Sequence, residues 1–468
     1  MSSPGPSRAA RAIEAALNRA AGSRPIPGNK VRLLIDGPDI YGVMLDLIGA
    51  ARHCIHLENY IIRADRTGWR FAEALAAQAR AGVKVRVLYD WLGSIATGWR
   101  YWRFLRSAGV EVRRFNPPHL FQVFANLSRD HRKVLVCDGA RGVIGGQCIG
   151  DEWSGDPQRA VPPWRDTGVE IHGPAAYALD SAFGVTWGLA GPPLAQEQRA
   201  PDPPAAGDAE VRVIVGEPGR ERAYRSLEYL TAGSVERLWI TDAYLVPPPR
   251  LFQSLLDAAG DGADIRLLVP SSSDVPIARN FTRVGYRRLL QAGIRIYEWD
   301  GPMLHAKTMV ADGRWARIGT SNLNASSLLG NFEIDVLIEE EAFAREMEAQ
   351  YRRDMEQSLE VRPRPYRAPK RLQPMLPTGL ERDEPIPIHP RRRRARRELR
   401  VRAAVAARTL ISGARRSIYG PASVFLIVLG LLFLILPGAM AYVFGAVCVW
   451  LAVSAGLEAF ARRRERGQ

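Results

Sequence analysis

HRKVLVCDGARGVIGG at residues 131–146 and HAKTMVADGRWARIGTSN at residues 305–322 are two copies of one pattern. In both copies a lysine follows the histidine by two residues, an aspartate follows it by seven and a glycine by fourteen. Residues two apart on a β-strand point to the same face, so each histidine projects together with its lysine. Because the chain has only five lysines and seven histidines, chance is a poor explanation of the repetition.

The repeat extends well beyond these motifs. FAEALAAQARAGVKVRVL at residues 71–88 parallels LFQSLLDAAGDGADIRLL at residues 251–268, and the matched segments are about 180 residues apart throughout. Each segment contains an amphipathic helical pattern, a turn and an apolar strand. Such alternation predicts two halves with mostly parallel sheets, covered by helices on both faces.

The end of the chain has a different composition. From Ser417 to Leu457 there is no Asp, Glu, Lys or Arg in 41 residues, and Pro437 interrupts this run near its middle. A single helix of that length would be about twice the ~30 Å thickness of a bilayer core, so we expect two helices joined by a tight turn. Arginines flank the pair on both sides, which places both ends in the cytoplasm by the positive-inside rule.

The net positive charge is concentrated in the same region. Residues 361–468 contain 21 Lys and Arg against 6 Asp and Glu, whereas the first 360 residues hold 43 of each sign. A neutral body argues against a nucleic-acid partner, and the eleven arginines between Arg391 and Arg416 favour contact with an anionic membrane surface. Four cysteines without a CxxC pair predict neither a disulfide framework nor a zinc site.

These features together predict the fold class and the domain boundaries. The expected fold is α/β, with two pseudo-symmetric α/β/α halves, mostly parallel central sheets and a C-terminal transmembrane helical hairpin. The predicted boundaries are 1–28 for a flexible segment, 29–190 and 216–360 for the halves, 191–215 for the linker between them, 361–416 for a Pro/Arg-rich basic linker, 417–460 for the hairpin and 461–468 for a basic tail.

The duplicated motif supplies the groups that displacement at a phosphodiester requires. One imidazole can attack phosphorus to form a phosphohistidine while the other, protonated, gives its proton to the leaving alkoxide. Lysines and neutral donors can stabilise the phosphoryl oxygens without a metal or cofactor. The candidate catalytic residues are His131, Lys133, Asp138, His305, Lys307 and Asp312, with Thr320, Ser321 and Asn322 as supporting donors. We expect His131 to attack, His305 to act as the acid, and the aspartates to fix a loop or a lysine.

The paired HxKxxxxD motifs resemble the signature of the phospholipase D superfamily, and the resemblance covers roughly residues 29–360. Within it the chain is most similar to bacterial cardiolipin synthases. The stretches that carry this likeness are GGQCIGDEW after the first motif, WRDTGVEIHGPA at 164–175, DAYLVP at 242–247 and GTSNLNASSLLGNFEI at the second motif. The resemblance implies two phospholipase-D-like halves and a transferase that joins two phosphatidylglycerols into cardiolipin and releases glycerol.

The same resemblance implies further site residues. It gives each histidine an acidic partner, Asp166 or Glu333, and Asn331 matches the family position just before the second acid. The chain departs from the family at Cys148, where an Asn is usual, and before Ser326, where many members have Arg and this chain has Ala. Fewer donors in the first half predict lower activity or an altered substrate.

Several functional classes remain open on the sequence. A phosphatidyltransferase is favoured by the apolar hairpin and the neutral body, but a phospholipase D that uses water shares the same phosphoenzyme. A nuclease of the superfamily would need a basic groove, and a non-catalytic membrane scaffold is disfavoured by two intact motifs. Because no secretory signal opens the sequence, we expect a bacterial inner-membrane protein whose catalytic part lies on the cytoplasmic side.

A cluster of aromatic and basic residues follows the first repeated strand. Trp91, Trp99 and Trp102 lie beside Arg100 and Arg103 in the sequence. This composition predicts either packing within a loop or a lip that faces lipid.

Overall fold

The computed structural model describes residues 8–118, 128–195, 198 and 200–362, with side chains from residue 14 onward except at 276–279. The predicted basic linker beyond residue 362, the predicted hairpin and the predicted basic tail therefore lie outside the described residues. Within the described residues, no helix has both the length and the apolar character needed to cross a membrane.

Strands form the centre of the fold. In chain order the strands of the described residues are β1 (Ile26–Ile35), β2 (Cys54–Asn59), β3 (Lys84–Asp90), β4 (Glu111–Phe115), β5 (Lys133–Cys137), β6 (Arg141–Gly145), β7 (Thr167–His172), β8 (Ala209–Gly216), β9 (Arg237–Asp242), β10 (Asp264–Pro270), β11 (Arg295–Trp299), β12 (Lys307–Ala311), β13 (Trp315–Gly319), β14 (Glu333–Glu339) and β15 (Ser358–Glu360).

Helices connect these strands and cover the sheet. In the same part of the chain the α-helices are α1 (Arg8–Ala21), α2 (Asp36–Ala50), α3 (Arg66–Arg80), α4 (Trp99–Ser107), α5 (Asp151–Ser154), α6 (Pro174–Leu189), α7 (Arg222–Gly233), α8 (Pro249–Gly260), α9 (Pro276–Gln291) and α10 (Glu341–Glu356). A 3₁₀ turn at Pro157–Arg159 and a π-helical turn at Ser326–Gly330 complete the helical structure described.

All of these strands belong to one continuous sheet. Its order is β15-β11-β10-β9-β12-β13-β14-β8-β1-β7-β6-β5-β2-β3-β4. From the centre outward, the order β1-β7-β6-β5-β2-β3-β4 in the first half corresponds to β8-β14-β13-β12-β9-β10-β11 in the second. The halves meet where β1 pairs antiparallel with β8, with Ile26 opposite Val211. The sheet thus has the pseudo-twofold symmetry that the repeat predicts.

The expectation of mostly parallel sheets is wrong. Among these strands, parallel pairing is confined to β2-β3-β4 and β9-β10-β11, and every other pair of neighbouring strands is antiparallel. The reason lies in the motifs themselves, where Asp138-Gly139 and Asp312-Gly313 adopt positive φ angles of 53° and 64°, and 51° and 62°. Such Asp-Gly turns join neighbouring antiparallel strands, because a short connection cannot make the crossover that parallel strands need.

Helices cover both faces of the sheet. One face carries α2, α3 and α4 over the first half and α7, α8 and α9 over the second, and each group encloses its own apolar core. The other face carries α6 and α10, which contribute Leu179 and Phe343 to a core that includes Ile144 and Ile318 from the two central hairpins. Because this last core contains residues of both halves, apolar burial holds the two halves together.

Two predicted boundaries are corrected. Residues 8–21, which lie in the segment predicted to be flexible, form α1. Leu17 and Ala21 of this helix are buried in the same core as Leu227. The short amphipathic pattern is therefore sufficient to cover part of the second half. The predicted linker at 191–215 ends too late, because β8 begins at Ala209 and pairs with both β1 and β14.

Candidate active site

The two motifs meet at one end of the strands. Lys133 begins β5 opposite Asn59, and Lys307 begins β12 opposite Asp242. The main chain just before each of these strands is hydrogen-bonded to the other half. The His131 N–H donates to the carbonyl of Phe332 at 2.9 Å, and the His305 N–H donates to the carbonyl of Arg165 at 2.7 Å. Main-chain pairing thus fixes each histidine against the opposite half of the molecule.

Both imidazoles line the same cavity. Its volume is about 500 Å³, and its other lining residues include Tyr60, Trp153, Trp164, Tyr244, Asn322 and Asn331. The ammonium groups act across the halves as well, because Lys307 contributes to lowering the pKa of His131 and Lys133 to lowering that of His305. A larger cavity of about 970 Å³ contains none of the predicted site residues among its described lining. The chemistry is therefore placed in the smaller one.

Each imidazole is held by a carboxylate from the other half. His131 Nδ1 lies 3.0 Å from Glu333 Oε2, and His305 Nδ1 lies 2.9 Å from Asp166 Oδ2. An ionised carboxylate only accepts hydrogen bonds, so Nδ1 carries the hydrogen in both rings and Nε2 keeps its lone pair. The sequence suggested both acids but not this exchange between halves.

The carboxylates are themselves positioned by donors. Asp166 accepts from the Trp153 indole at 3.0 Å and from the Thr167 N–H at 2.8 Å. Glu333 accepts from Thr320 Oγ1 at 2.6 Å and from the Ser327 hydroxyl. Trp153 and Ser327 were not predicted as site residues, although both fall in the family-like stretches, which gave a signal that could have found them.

Burial sets the protonation states of these pairs. Burial lowers the pKa of His131, although Glu333 opposes the shift. Burial and then Lys307 lower the pKa of His305 to about 4, although Asp166 raises it. Burial would raise the pKa of either carboxyl group, but the partner imidazole and the neighbouring ammonium keep both below their usual values. The resting site therefore combines neutral imidazoles with ionised carboxylates.

The two buried lysines supply positive charge beside the imidazoles. Lys133 Nζ donates to the carbonyl of His131 at 2.6 Å, and Lys307 Nζ donates to that of His305. Their ammonium nitrogens lie 5.2 Å and 5.8 Å from the ring centroids of Tyr60 and Tyr244. Each ammonium has three hydrogens, so further donors remain for an anionic ligand. Burial lowers the pKa of Lys307 to about 8, and the charge of Lys133 adds to the effect.

The predicted neutral donors divide into two groups. Asn322 and Asn331 line the cavity, and the Asn322 Oδ1 atom is buried without a hydrogen-bond partner among the described residues. Thr320 lies behind the site on Glu333, and the Ser321 N–H donates to Asp335 at 3.1 Å. Only the two asparagines are thus placed to contact a ligand directly.

The aspartates of the motifs do not reach the cavity. Asp138 accepts from the N–H groups of residues 52, 53 and 54 at 2.9, 2.7 and 2.9 Å, and Asp312 accepts from residues 235, 236 and 237 at 3.0, 2.9 and 2.9 Å. Each follows its lysine by five residues, roughly 16 Å along the strand. Their grouping with the catalytic residues is corrected: they fix the start of β2 and of β9.

Comparisons with known proteins place the chain in a family. The family model described as "Cardiolipin synthase, PLD-like domain" matches residues 44–151 and 228–355. Cardiolipin synthase A of Pseudomonas aeruginosa is 34% identical over 361 residues, which cover 76% of this chain and 73% of that protein. The chain belongs to the cardiolipin synthase family of phospholipase-D-like proteins. The predictions of this family and of a phospholipase D superfamily phosphatidyltransferase are thereby confirmed.

Further relatives extend the comparison. The cardiolipin synthase of Alkalihalophilus pseudofirmus is 33% identical over 347 residues, which cover 73% of this chain and 69% of that protein. Among solved structures, phosphatidylserine synthase from Haemophilus influenzae superposes with a TM-score of 0.58 and 14% identity, over 75% of this chain and 92% of that one. At this identity the likeness concerns the fold.

Proposed function

We propose that this family member joins two phosphatidylglycerol molecules into cardiolipin and glycerol through a phosphohistidine intermediate. The observation that carries the proposal is the pair of imidazoles in one cavity, each held at Nδ1 by a carboxylate and each accompanied by a buried lysine. The names of the relatives favour this lipid product over phosphatidic acid.

In the first half-reaction, Nε2 of His131 attacks phosphorus, and the bond from phosphorus to the glycerol headgroup oxygen breaks. His305, protonated at Nε2, gives its proton to the leaving alkoxide, so glycerol departs neutral. Because the pKa of unliganded His305 is about 4, this proton must be stabilised by the negative charge of the bound diester and by Asp166.

In the second half-reaction, a headgroup hydroxyl of the other phosphatidylglycerol gives its proton to His305. Its oxygen forms a bond to phosphorus, and the phosphorus–nitrogen bond to His131 breaks, which yields cardiolipin and restores both rings. Lys133, Lys307 and the Asn322 amide stabilise the phosphoryl oxygens in both steps.

We also propose that the enzyme works at the cytoplasmic surface of a bacterial inner membrane. The uncharged run from Ser417 to Leu457 and the arginines on both sides of it support this placement. The arginines between Arg391 and Arg416 would contact anionic lipid, and phosphatidylglycerol is itself anionic. Reporter fusions at residue 468 test the topology: activity of a cytoplasmic reporter supports it, and activity of a periplasmic reporter contradicts it.

A lipid product assay tests the function. The full chain in mixed micelles with phosphatidylglycerol should yield cardiolipin and free glycerol in equal amounts, measured by mass spectrometry and an enzymatic glycerol assay. Phosphatidic acid without cardiolipin would assign a hydrolase instead. Cleavage of DNA with no change in lipid would overturn both lipid functions.

A further inference from the structure

Exposed apolar side chains are concentrated in the loop after β3 and at the first residue of α4. Leu92, Ile95 and Trp99, called here the first lip, are 47%, 60% and 64% exposed. The loop is firmly anchored, because the Ile62 N–H donates to Ser94 Oγ at 3.0 Å and the Thr97 hydroxyl donates to the Ile62 carbonyl. An anchored segment that exposes three large apolar side chains indicates an interaction surface.

The corresponding segment of the second half, after β10, also exposes large apolar side chains. Val275, Phe281 and Val284, called here the second lip, are 45%, 52% and 78% exposed. Val275 immediately precedes α9, and the other two lie on that helix. The loop before α9 is held at Asp274, which accepts from the Tyr244 hydroxyl at 2.6 Å. The pseudo-symmetry thus presents two apolar lips.

The second lip lines the cavity that contains the imidazoles, and the first lip lies next to one of the residues that line it, with Trp99 at the edge of the larger cavity. Val275 lines that cavity itself, as does Asp274 beside it. The first lip is joined to it through Tyr60, another lining residue, because Gly93 packs so closely that a Cβ atom there would lie 2.3 Å from the Tyr60 carbonyl oxygen. A surface touching both lips would therefore cover the mouth of the active site.

The charge of the first lip indicates what that surface is. Residues 91–107 contain three arginines and no carboxylate, although residues 1–360 as a whole are balanced in charge. The guanidinium carbons of Arg100 and Arg103 lie 5.9 Å and 5.6 Å from the ring of Trp99. Tryptophan favours the interface between lipid and water, and arginine is attracted to anionic headgroups.

We propose that the first and second lips dock the catalytic body on an anionic lipid bilayer, with the active-site mouth facing the lipid. The inference rests on the proposed function, since a lipid substrate explains why the mouth should be covered by a bilayer. It adds a second attachment, distinct from the predicted hairpin, which orients the cavity.

A fluorescent label tests the docking. An Ile95→Cys variant of the full chain carries an environment-sensitive nitrobenzoxadiazole label and is reconstituted in phosphatidylglycerol vesicles. Emission should shift to shorter wavelength and be quenched by nitroxide-labelled lipids, and both effects should be weaker in phosphatidylcholine vesicles. The matched control is Val235→Cys, because Val235 is 76% exposed and its N–H donates to Asp312 at the far end of the strands.

The outcomes separate docking from catalysis. Cys54, Cys137 and Cys148 are buried, and Cys448 lies outside the described residues, so the unsubstituted chain labelled in parallel gives the background from all four thiols. Equal signals at positions 95 and 235 would overturn the proposal, as would a shift without lipid that grows with protein concentration, because that indicates self-association. Cardiolipin formation without a shift at 95 overturns docking alone, and a shift without cardiolipin overturns the proposed function alone.

Kinetics give an independent test. Ile95→Ser combined with Trp99→Ser should lower kcat/KM about tenfold on phosphatidylglycerol in bilayers, because burial of two large apolar side chains is lost. Activity on a short-chain, monomeric phosphatidylglycerol should stay unchanged, and Val235→Ser should affect neither assay. An equal loss of kcat/KM on both substrates would show that the first lip shapes the active site and does not dock the protein on the bilayer.

Discussion

The two halves of the molecule provide similar imidazoles in different surroundings. In the first half, Lys133 lies opposite Asn59, and Cys148 lines the cavity near His131. In the second, Lys307 lies opposite Asp242, and Asn322 occupies the position that corresponds to Cys148. Burial raises the pKa of Asp242 to about 6. Among the described residues that line the cavity, the second half also supplies more polar side chains than the first.

This difference teaches which part of the repeat the chemistry requires. The imidazole, its carboxylate and the lysine are present on both sides, whereas the neutral donors are not. Each half also depends on the other, because Glu333 serves His131 and Asp166 serves His305. Neither half contains a complete histidine–carboxylate pair by itself.

Removal of either imidazole should have the largest effect. His131→Ala and His305→Ala should each lower kcat more than about a thousandfold, because nucleophile and acid act as one unit. Cardiolipin formation from phosphatidylglycerol measures this, with His172→Ala as the control, since His172 lies at the end of β7 far from the cavity. Substantial activity in either variant would contradict the proposal that the reaction needs both rings.

The carboxylates should matter next, and they separate the roles of the rings. Asp166→Asn and Glu333→Gln should each lower kcat/KM about a hundredfold or more. Loss of either carboxylate removes a charge that raises the pKa of its imidazole, so that pKa falls further. The alkaline limb of the pH profile should move to lower pH in Asp166→Asn, since His305 must be protonated.

The corresponding shift in Glu333→Gln should appear on the acidic limb, because His131 must be neutral to attack. Profiles of kcat/KM against pH for both variants and the unsubstituted chain make the comparison. If the acidic limb moved in Asp166→Asn and the alkaline limb moved in Glu333→Gln, the attack would be assigned to His305 and the proton donation to His131.

Exchange of the neutral donors should have a smaller effect. Asn322→Cys makes the second half resemble the first and should lower kcat/KM about tenfold, because a donor to the phosphoryl oxygens is lost. Cys148→Asn should change it less than about threefold, since the first half already works without that amide. A greater loss in Cys148→Asn than in Asn322→Cys would reverse the inferred asymmetry.

The motif aspartates should affect stability without affecting catalysis. Asp138→Asn and Asp312→Asn keep a residue type that tolerates positive φ but remove a charged acceptor. Each should lower the free energy of unfolding by about 1–2 kcal/mol and leave kcat of the folded enzyme unchanged. Urea denaturation and kinetics check the two statements separately, and a fall in kcat without loss of stability would restore these residues to the site.

Local spacing predicted a large part of the fold and of the candidate site. The His-x-Lys spacing placed His131, Lys133, His305 and Lys307 together, and the structure puts both imidazoles in one cavity. The same reasoning failed for strand direction, because an apolar run reads alike in parallel and antiparallel strands. It also did not select Trp153: the family-like stretch contains this residue, but spacing alone does not show that its indole donates to Asp166.

The sequence by itself determined the repeat, the paired motifs and the family, because these depend on residues a few positions apart. Only the tertiary structure decided that each carboxylate serves the imidazole of the other half. His131 and Glu333 are 202 positions apart, and His305 and Asp166 are 139 apart. Contacts at such separations are set by how β1 and β8 join the halves into one sheet, and no local periodicity records that pairing.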